Sequence, residues 1–534
     1  MTKSKWIALG RMTMAGLLAV LGLEFTIAAA MSEERPLTIA RHMDINSLDP
    51  ARSWSDTSAL FNVSVYEQLL TLDKDNNLQP LLAKRWTVNP EQTEFRFELD
   101  PAARFSDGSP VESKDVKWSF ERLKNMKDQG SFLADGIDSI RTPDASTVIF
   151  KLMKPNSEFA HQTVAGMLSI INSDVAAANG AIADLTAAAR DTSEMWFFSN
   201  SAGSGPFTLK RYEAETELRL ARNENYWRTK ALVAEVIFRS VKDSASQADM
   251  LKSGAADIAM QIDPKAAASL DDTGMVIKKA PSDNFIYLAL GPGARDASTK
   301  LTPEVRQAIS LAIDRKTLMG KVLRSEGGRL LVAPIPLDYP GGAGHAEPEY
   351  NPDKAKQMLA TAGLANGFTL LSVYPDLNVY GVDFTTMMKS IQEDLSKIGI
   401  KVDLKPVSFG KWREAVNGEH IPLTASYFAP DFYGTSQYVQ FFGLSKGSNW
   451  AKRSGAERDP SILNSRAVEL AAKALAAPTQ ADADKLWFEA GEEMIRSNVI
   501  LPMFSPNILL AYRPGVKGVR SSACCVLTLS EISN

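Results

Sequence analysis

Residues 368–373 (FTLLSV), 384–398 (FTTMMKSIQEDLSKI), 400–404 (IKVDL), 421–427 (IPLTASY) and 428–434 (FAPDFYG) form the stretch whose reading decides the fold. Phe368 to Val373 is apolar and β-branched enough for a strand. Phe384, Met387, Met388, Ile391, Leu395 and Ile398 then fall at offsets 0, 3, 4, 7, 11 and 14, the period of an amphipathic helix with one apolar face. The Met387–Met388 pair belongs to that face and reads as core packing. Gly399 ends the helix, Ile400 to Leu404 starts a second strand, and Ile421 to Tyr427 a third. Parallel strands joined by a helix cross right-handed, so the unit is βαβ within an open α/β sheet. Ligands of such sheets bind beyond the carboxyl ends of the strands. The segment Phe428-Ala429-Pro430-Asp431-Phe432-Tyr433-Gly434 is therefore expected to face a crevice.

Outward from this unit, strands and helices continue to alternate, which predicts an α/β protein. Thr302-Pro303 is a helix start, with Val305, Ile309, Ala312 and Ile313 on one face. Toward the N-terminus, Leu37 to Ala40 reads as a first strand and Ser58 to Leu70 as a helix. Phe95 to Leu99 and Thr147 to Leu152 read as strands, and Ser113 to Leu123 as a helix capped by Ser113. Residues 175–190 are Ala-rich and read as helical. Residues 72–195 thus form a compact α+β unit.

Residues 1–30 have the pattern of a secretory leader: Lys3, Lys5 and Arg11, then the apolar run Met12 to Leu23, then Ala28-Ala29-Ala30. The run falls short of the roughly 20 apolar residues a membrane span needs, and cleavage is expected after Ala30. With no cysteine near that point, a lipid anchor is not expected, and the mature chain is read as periplasmic. Its length exceeds the ~250–300 residues at which single cores stop growing, so at least two lobes are expected. Loss of Lys3, Lys5, Arg11 and Glu24 takes the net charge from −4 to −6, which argues against nucleic acid as a partner. Cys524 and Cys525 are adjacent, so any bridge between them is vicinal and the core does not rest on disulfides. His42, His161, His345 and His420 are scattered without ligand spacing. No metal site or cofactor is expected, and a hydrolytic triad is not apparent.

A series of motifs resembles the periplasmic peptide-binding proteins of ABC importers, solute-binding protein family 5. They are Ser47-Leu48-Asp49-Pro50, Val65-Tyr66-Glu67-Gln68-Leu69, Leu81 to Trp86, Phe105-Ser106-Asp107-Gly108 with Asp115 to Phe120, and Gly203 to Phe207. Asn223 to Trp227, Val305-Arg306-Gln307-Ala308, Ile313-Asp314-Arg315 and Asn351 to Lys356 follow in order. The resemblance implies two lobes joined by a hinge, with an additional inserted α+β domain. The implied partition is a first lobe of 31–71, 196–283 and 500–534, an inserted domain of 72–195, and a second lobe of 284–499. It further implies a monomer that captures a peptide or related cationic solute by lobe closure and delivers it to a membrane permease and ATPase. Metal chelates, opines and sugars are alternative cargoes on the same scaffold, and a periplasmic hydrolase is the alternative outside transport.

The resemblance also nominates site residues. Asp431 stands where peptide-binding members pair an aspartate with the ligand's α-amino group, although the usual D-x-x-D-P continuation is replaced by Asp431-Phe432-Tyr433-Gly434-Thr435. Tyr427, Phe428, Phe432 and Tyr433 flank it and compete between ligand contact and core packing. Trp54 and Ser55 fall in a first-lobe cleft loop, and Asn449 and Trp450 in a segment like the site-lining G-S-N-[YF]. Tyr374 and Tyr380 follow the 368–373 strand. That loop holds no arginine, so a free dipeptide carboxylate is not expected to be gripped there. A longer peptide, an amidated ligand or another amine fits better.

Overall fold

In the computed structural model, which describes residues 35–260, 262–324, 327–520 and 527–534, the 368–404 segment folds as its periodicity predicts. Strand Phe368–Pro375 runs parallel to Ile400–Val407, with Phe368 opposite Ile400. The intervening helix, Phe384–Ser396, is capped by the Asp383 carboxylate, which accepts from Thr386 N–H. Phe384, Met387, Met388, Ile391 and Leu395 are all buried in one core, so the methionine pair is packing. Gly399 (φ +86°) closes the helix, and Gly367 lies so close to it that a Cβ on Gly367 would sit 1.9 Å from the Gly399 carbonyl oxygen. That crossing admits only glycine. The leader 1–30 and the Cys524–Cys525 pair lie outside the described residues.

These strands belong to a six-stranded sheet ordered Gly328–Leu330, Ile500–Pro506, Phe285–Leu290, Leu423–Phe428, Phe368–Pro375, Ile400–Val407. A seven-stranded sheet, ordered Val276–Ala280, Ile508–Tyr512, Ile258–Met260, Leu37–Arg41, Glu235–Ser240, Glu217–Arg222, Phe207–Glu213, builds the other lobe. Each lobe has its own apolar core. The chain passes between the two sheets at Pro281–Asn284 and again at Asn507. Strand Ile500–Pro506 thus pairs within the second-lobe sheet, and the return to the first lobe falls at Asn507 rather than at 500. The reason is hydrophobic: every residue from Ile500 to Pro506 is buried, which suits an interior strand. At the crossover Ser282 Oγ donates to Pro506 O (2.5 Å) and Ser505 Oγ bonds Asn284 O (2.7 Å), stitching the two passes together.

The inserted unit is an antiparallel sheet, Ala83–Val88, Glu94–Leu99, Thr147–Leu152, Ile137–Asp144, covered by helix Ser113–Met126. Its cap is Glu112 in a reciprocal capping box with Asp115. Ser113, expected as the cap, is the first helical residue, and its hydroxyl donates to Asp144 O. The first-lobe helix also starts earlier than its apolar pattern suggested, spanning Asp56–Val65. The Ala-rich 175–190 region makes only two short helices, Ser173–Ala178 and Ala187–Arg190, because Gly180 (φ +90°) interrupts it.

The motifs of the resemblance meet in buried polar clusters. Glu67 accepts from Ser204 Oγ (2.8 Å), Tyr226 OH (2.9 Å) and Trp227 Nε1 (2.8 Å), uniting three motifs far apart in sequence. Asp49 takes both terminal nitrogens of Arg122, whose Nε reaches Asp191 at 2.9 Å; Arg122 and Asp49 are fully buried. Arg306 and Arg315 donate to main-chain carbonyls, among them Ser497 O and Pro502 O. A buried charge left without partners costs several kcal/mol, so each motif holds the segments around it in a single arrangement.

Candidate ligand cleft between the lobes

The carboxyl end of strand Leu423–Phe428 opens toward the first lobe. Tyr427, near its end, packs against the cores of both lobes. Tyr380 stands edge-on to Tyr427 at 6.3 Å and donates its hydroxyl to Asp56 at the start of the first-lobe helix. It reaches across on a two-residue hairpin between Asn378–Val379 and Val382–Asp383, where Tyr380 (φ +52°) and Gly381 (φ +83°) both have positive φ, as in a type I′ turn. A Cβ on Gly381 would lie 2.9 Å from Pro264 of the first lobe. The glycine therefore serves both the turn and the close approach of the lobes.

After the strand, the chain makes the 429–435 loop. Gln437 shapes it from inside: its Oε1 accepts from Asp431 N–H (2.9 Å), and its Nε2 donates to Phe432 O and Gly434 O. Glu158 of the inserted unit accepts from Thr435 N–H (2.8 Å) and Ser436 N–H (3.0 Å). Phe432 enters the core of the inserted unit and is 6% exposed. The Tyr433 ring lies 4.7 Å from Tyr339 and 5.9 Å from His161, while its hydroxyl donates to Asp338 O. Fixed at three points, the loop leaves Asp431 half-buried. Among the described residues no group donates to that carboxylate. Burial, and secondarily the negative charge of Asp56, push it up to about 7. Burial likewise raises Tyr427, with Asp56 and Asp44 adding to the effect. Asp431 and Asp56 make this end of the cleft anionic.

The other end is cationic. Trp54, 38% exposed, stacks on Phe409 with ring centroids 6.5 Å apart, and the Arg413 guanidinium lies 5.0 Å over its ring. Arg453 lies 5.3 Å over Trp450 and 5.9 Å over Phe441, and donates from Nε to Asn417 Oδ1 at 3.1 Å.

The nominated residues thus divide. Asp431, Tyr427 and Tyr380 gather around Asp56 where the lobes meet, and Trp54 meets Phe409 and Arg413 instead. Phe428 packs on Tyr438, Phe441 and Phe442 against a second-lobe core. Tyr374, 1% exposed, is second-lobe core, because its position in the strand sends it inward. Trp450, 2% exposed, is also core; its indole N–H donates to Tyr287 OH (3.2 Å). Phe432 packs in the inserted unit, and Ser55 is the cap of the Asp56–Val65 helix, accepting from Ser58 N–H. Asn449 is exposed at the start of helix Asn449–Arg453. Sequence reasoning passed over Asp56, Glu158, Arg413, Gln437 and Arg453. Asp56 sits beside the nominated Trp54–Ser55 pair, so adjacency could have found it; the others carry no local signal.

With this geometry in view, the similarities to known proteins are consistent. Residues 77–450 match the model of the bacterial extracellular solute-binding proteins, family 5. The probable D,D-dipeptide-binding periplasmic protein DdpA of Escherichia coli is 28% identical over 508 residues, covering 93% of this chain and 94% of that protein. The periplasmic binding protein DppA of Helicobacter pylori, solved with the peptide STSA, superposes with a TM-score of 0.78 at 21% identity, over 93% of this chain and 98% of that one. AgaA of A. tumefaciens R10, solved with agropinic acid, gives a TM-score of 0.77 at 22% identity and the same coverage. The chain belongs to the family 5 solute-binding proteins and is a two-lobed solute-binding component of an ABC importer.

Proposed function

We propose that this protein captures a peptide or related cationic solute between its lobes, with the ligand's ammonium group on Asp431. The observation that carries this reading is a half-buried carboxylate, pushed up to about 7, to which no described group donates a hydrogen bond. An ammonium brought to that carboxylate supplies both the counter-charge and the missing donors, and a charge-assisted bond of this kind contributes about 1.5–3 kcal/mol. Tyr427 and Tyr380 stand beside this carboxylate's neighbour Asp56, and the reading adds Trp54, Phe428 and Asn449 as further contacts of a longer ligand. Closure of the lobes on the ligand excludes water and stabilises the form that the permease and ATPase read. The mature protein works as a periplasmic monomer after cleavage at Ala30, without a lipid anchor, and has no catalytic role.

Relatives named for peptides support the reading. The opine bound by the A. tumefaciens protein keeps a second cargo class in the test. Ligand-stripped protein is screened by thermal shift against di- to pentapeptides, opines, amines, oligosaccharides and metal chelates. A ligand at a hundred times its Kd adds about 2.7 kcal/mol of stability. Stabilisation by peptides or amines that is lost in Asp431→Ala supports the proposal. Stabilisation by neutral sugars or chelates that survives Asp431→Ala overturns it.

A further inference from the structure

We propose that Arg413 and Arg453 form a second subsite in the cleft, for a carboxylate of the same ligand; this rests on the reading that Asp431 receives its ammonium. Arg413 projects from helix Phe409–Asn417 and Arg453 ends helix Asn449–Arg453; Arg453 lies over Trp412, next to Arg413, and bonds Asn417 of the same helix, so two separate elements bring the two charges near one another. Both are partly buried, and among the described residues neither has an acidic partner within ion-pair distance. What holds them is aromatic: Trp54 under Arg413, and Trp450, Phe441 and Trp412 around Arg453. Stacking fixes the guanidinium but uses none of its N–H donors, of which an arginine has five. The one described hydrogen bond is from Arg453 Nε to Asn417 Oδ1. The fork that binds a carboxylate bidentately is left available.

The placement relative to Asp431 comes from the first lobe. Trp54 touches Arg413, and Asp56, two residues on, acts on Asp431 and bonds Tyr380. Two extended residues span at most about 7 Å, so one short segment of the first lobe reaches from the cationic end of the cleft to the anionic end. A ligand lying along it meets opposite charges at its two ends, which defines a short zwitterion. The arginine missing from the 374–380 loop is thereby supplied from other elements. Because Trp54 belongs to one lobe and Arg413 to the other, the subsite is complete only when the lobes are closed.

The test uses calorimetry on the ligand-stripped mature protein with an alanine series of two to five residues, each as the free acid and as the C-terminal amide. Amidated Ala-Glu-Ala distinguishes a side-chain carboxylate from the chain terminus. The free acid is expected to bind roughly ten- to a hundred-fold more tightly than its amide. In Arg413→Gln and Arg453→Gln the acid should fall to the affinity of the amide, with the amide itself unchanged. Arg453 is the more enclosed, so Arg453→Lys, which keeps the charge but not the fork, accompanies it, and folding is checked by circular dichroism. Recovery of tight binding by the amidated glutamyl peptide would assign the subsite to an acidic side chain. Equal binding of acid and amide by the wild type, or an acid preference that survives both glutamine variants, overturns the subsite while leaving the peptide reading intact. If no member of the series binds, all having a free amine, the peptide reading fails and the subsite with it.

Discussion

Replacing Asp431 by Asn should stabilise the empty protein while removing its ligand. The carboxyl is pushed up to about 7 by burial and by Asp56, whereas in the unfolded chain it titrates near an ordinary aspartate. Between those two pH values the folded protein holds a proton that the unfolded chain has lost, so stability falls as pH rises. The favourable contribution is complete below about pH 4 and is lost as pH rises through 7. Taken whole, raising the carboxyl from the ordinary aspartate range to about 7 amounts to roughly 4 kcal/mol. Asp431 keeps some solvent contact, and screening brings the usable figure to about 1–2 kcal/mol. Asn carries no charge at any pH and avoids the penalty. Ligand-stripped Asp431→Asn should therefore melt higher than wild type at pH 8, by about 1–3 °C for a chain of this size, with the gap closing toward pH 4. Its amine binding should be lost at every pH, and wild-type affinity should weaken up to about tenfold per unit below pH 7. Melting curves at pH 4.5, 6 and 8 with and without ligand measure both effects. A variant no more stable than wild type at pH 8, or a gap that ignores pH, would refute the assignment of Asp431 as an ionised, unpaired carboxylate.

Glu158→Ala should leave the N–H groups of Thr435 and Ser436 without their acceptor and cost about 2 kcal/mol, visible in urea unfolding and in faster amide exchange across 429–436. Arg122→Ala strips the buried partner from Asp49 and Asp191 and should cost about 3–5 kcal/mol, with loss of soluble protein as its first sign. Tyr380→Phe removes the hydroxyl that joins the second lobe to Asp56; small-angle scattering of the empty protein should show a larger radius of gyration, with ligand restoring the wild-type value.

Much of the scaffold was legible because it rests on local rules. The 3.6-residue period in 384–398 and the proline at Pro303 marked helices that the structure forms. Misreadings occurred where a local signal met a tertiary one. Ser113 resembled a cap, but Glu112 takes that role because Asp115 can answer it from three residues on. Tyr374 and Trp450 were aromatic residues in plausible loops, yet the pleat of one strand and the packing around Tyr287 turn them inward. The partition implied by the resemblance puts Ile500–Pro506 in the first lobe, whereas its unbroken burial is that of an interior strand of the second-lobe sheet.

By itself, the amino-acid sequence determined the family and the α/β lobes. The motifs that reveal them, around Glu67, Asp49, Arg306 and Arg315, are buried polar groups whose partners must all be present. Such groups constrain the fold and say nothing about cargo. Only the tertiary structure decided the character of the cleft. Asp56, Tyr380 and Asp431 at one end, and Trp54, Arg413 and Arg453 at the other, come from segments hundreds of residues apart. Their charges acquire meaning through burial and through the neighbours that packing gives them, which belong to the meeting of the lobes and to no single stretch of chain.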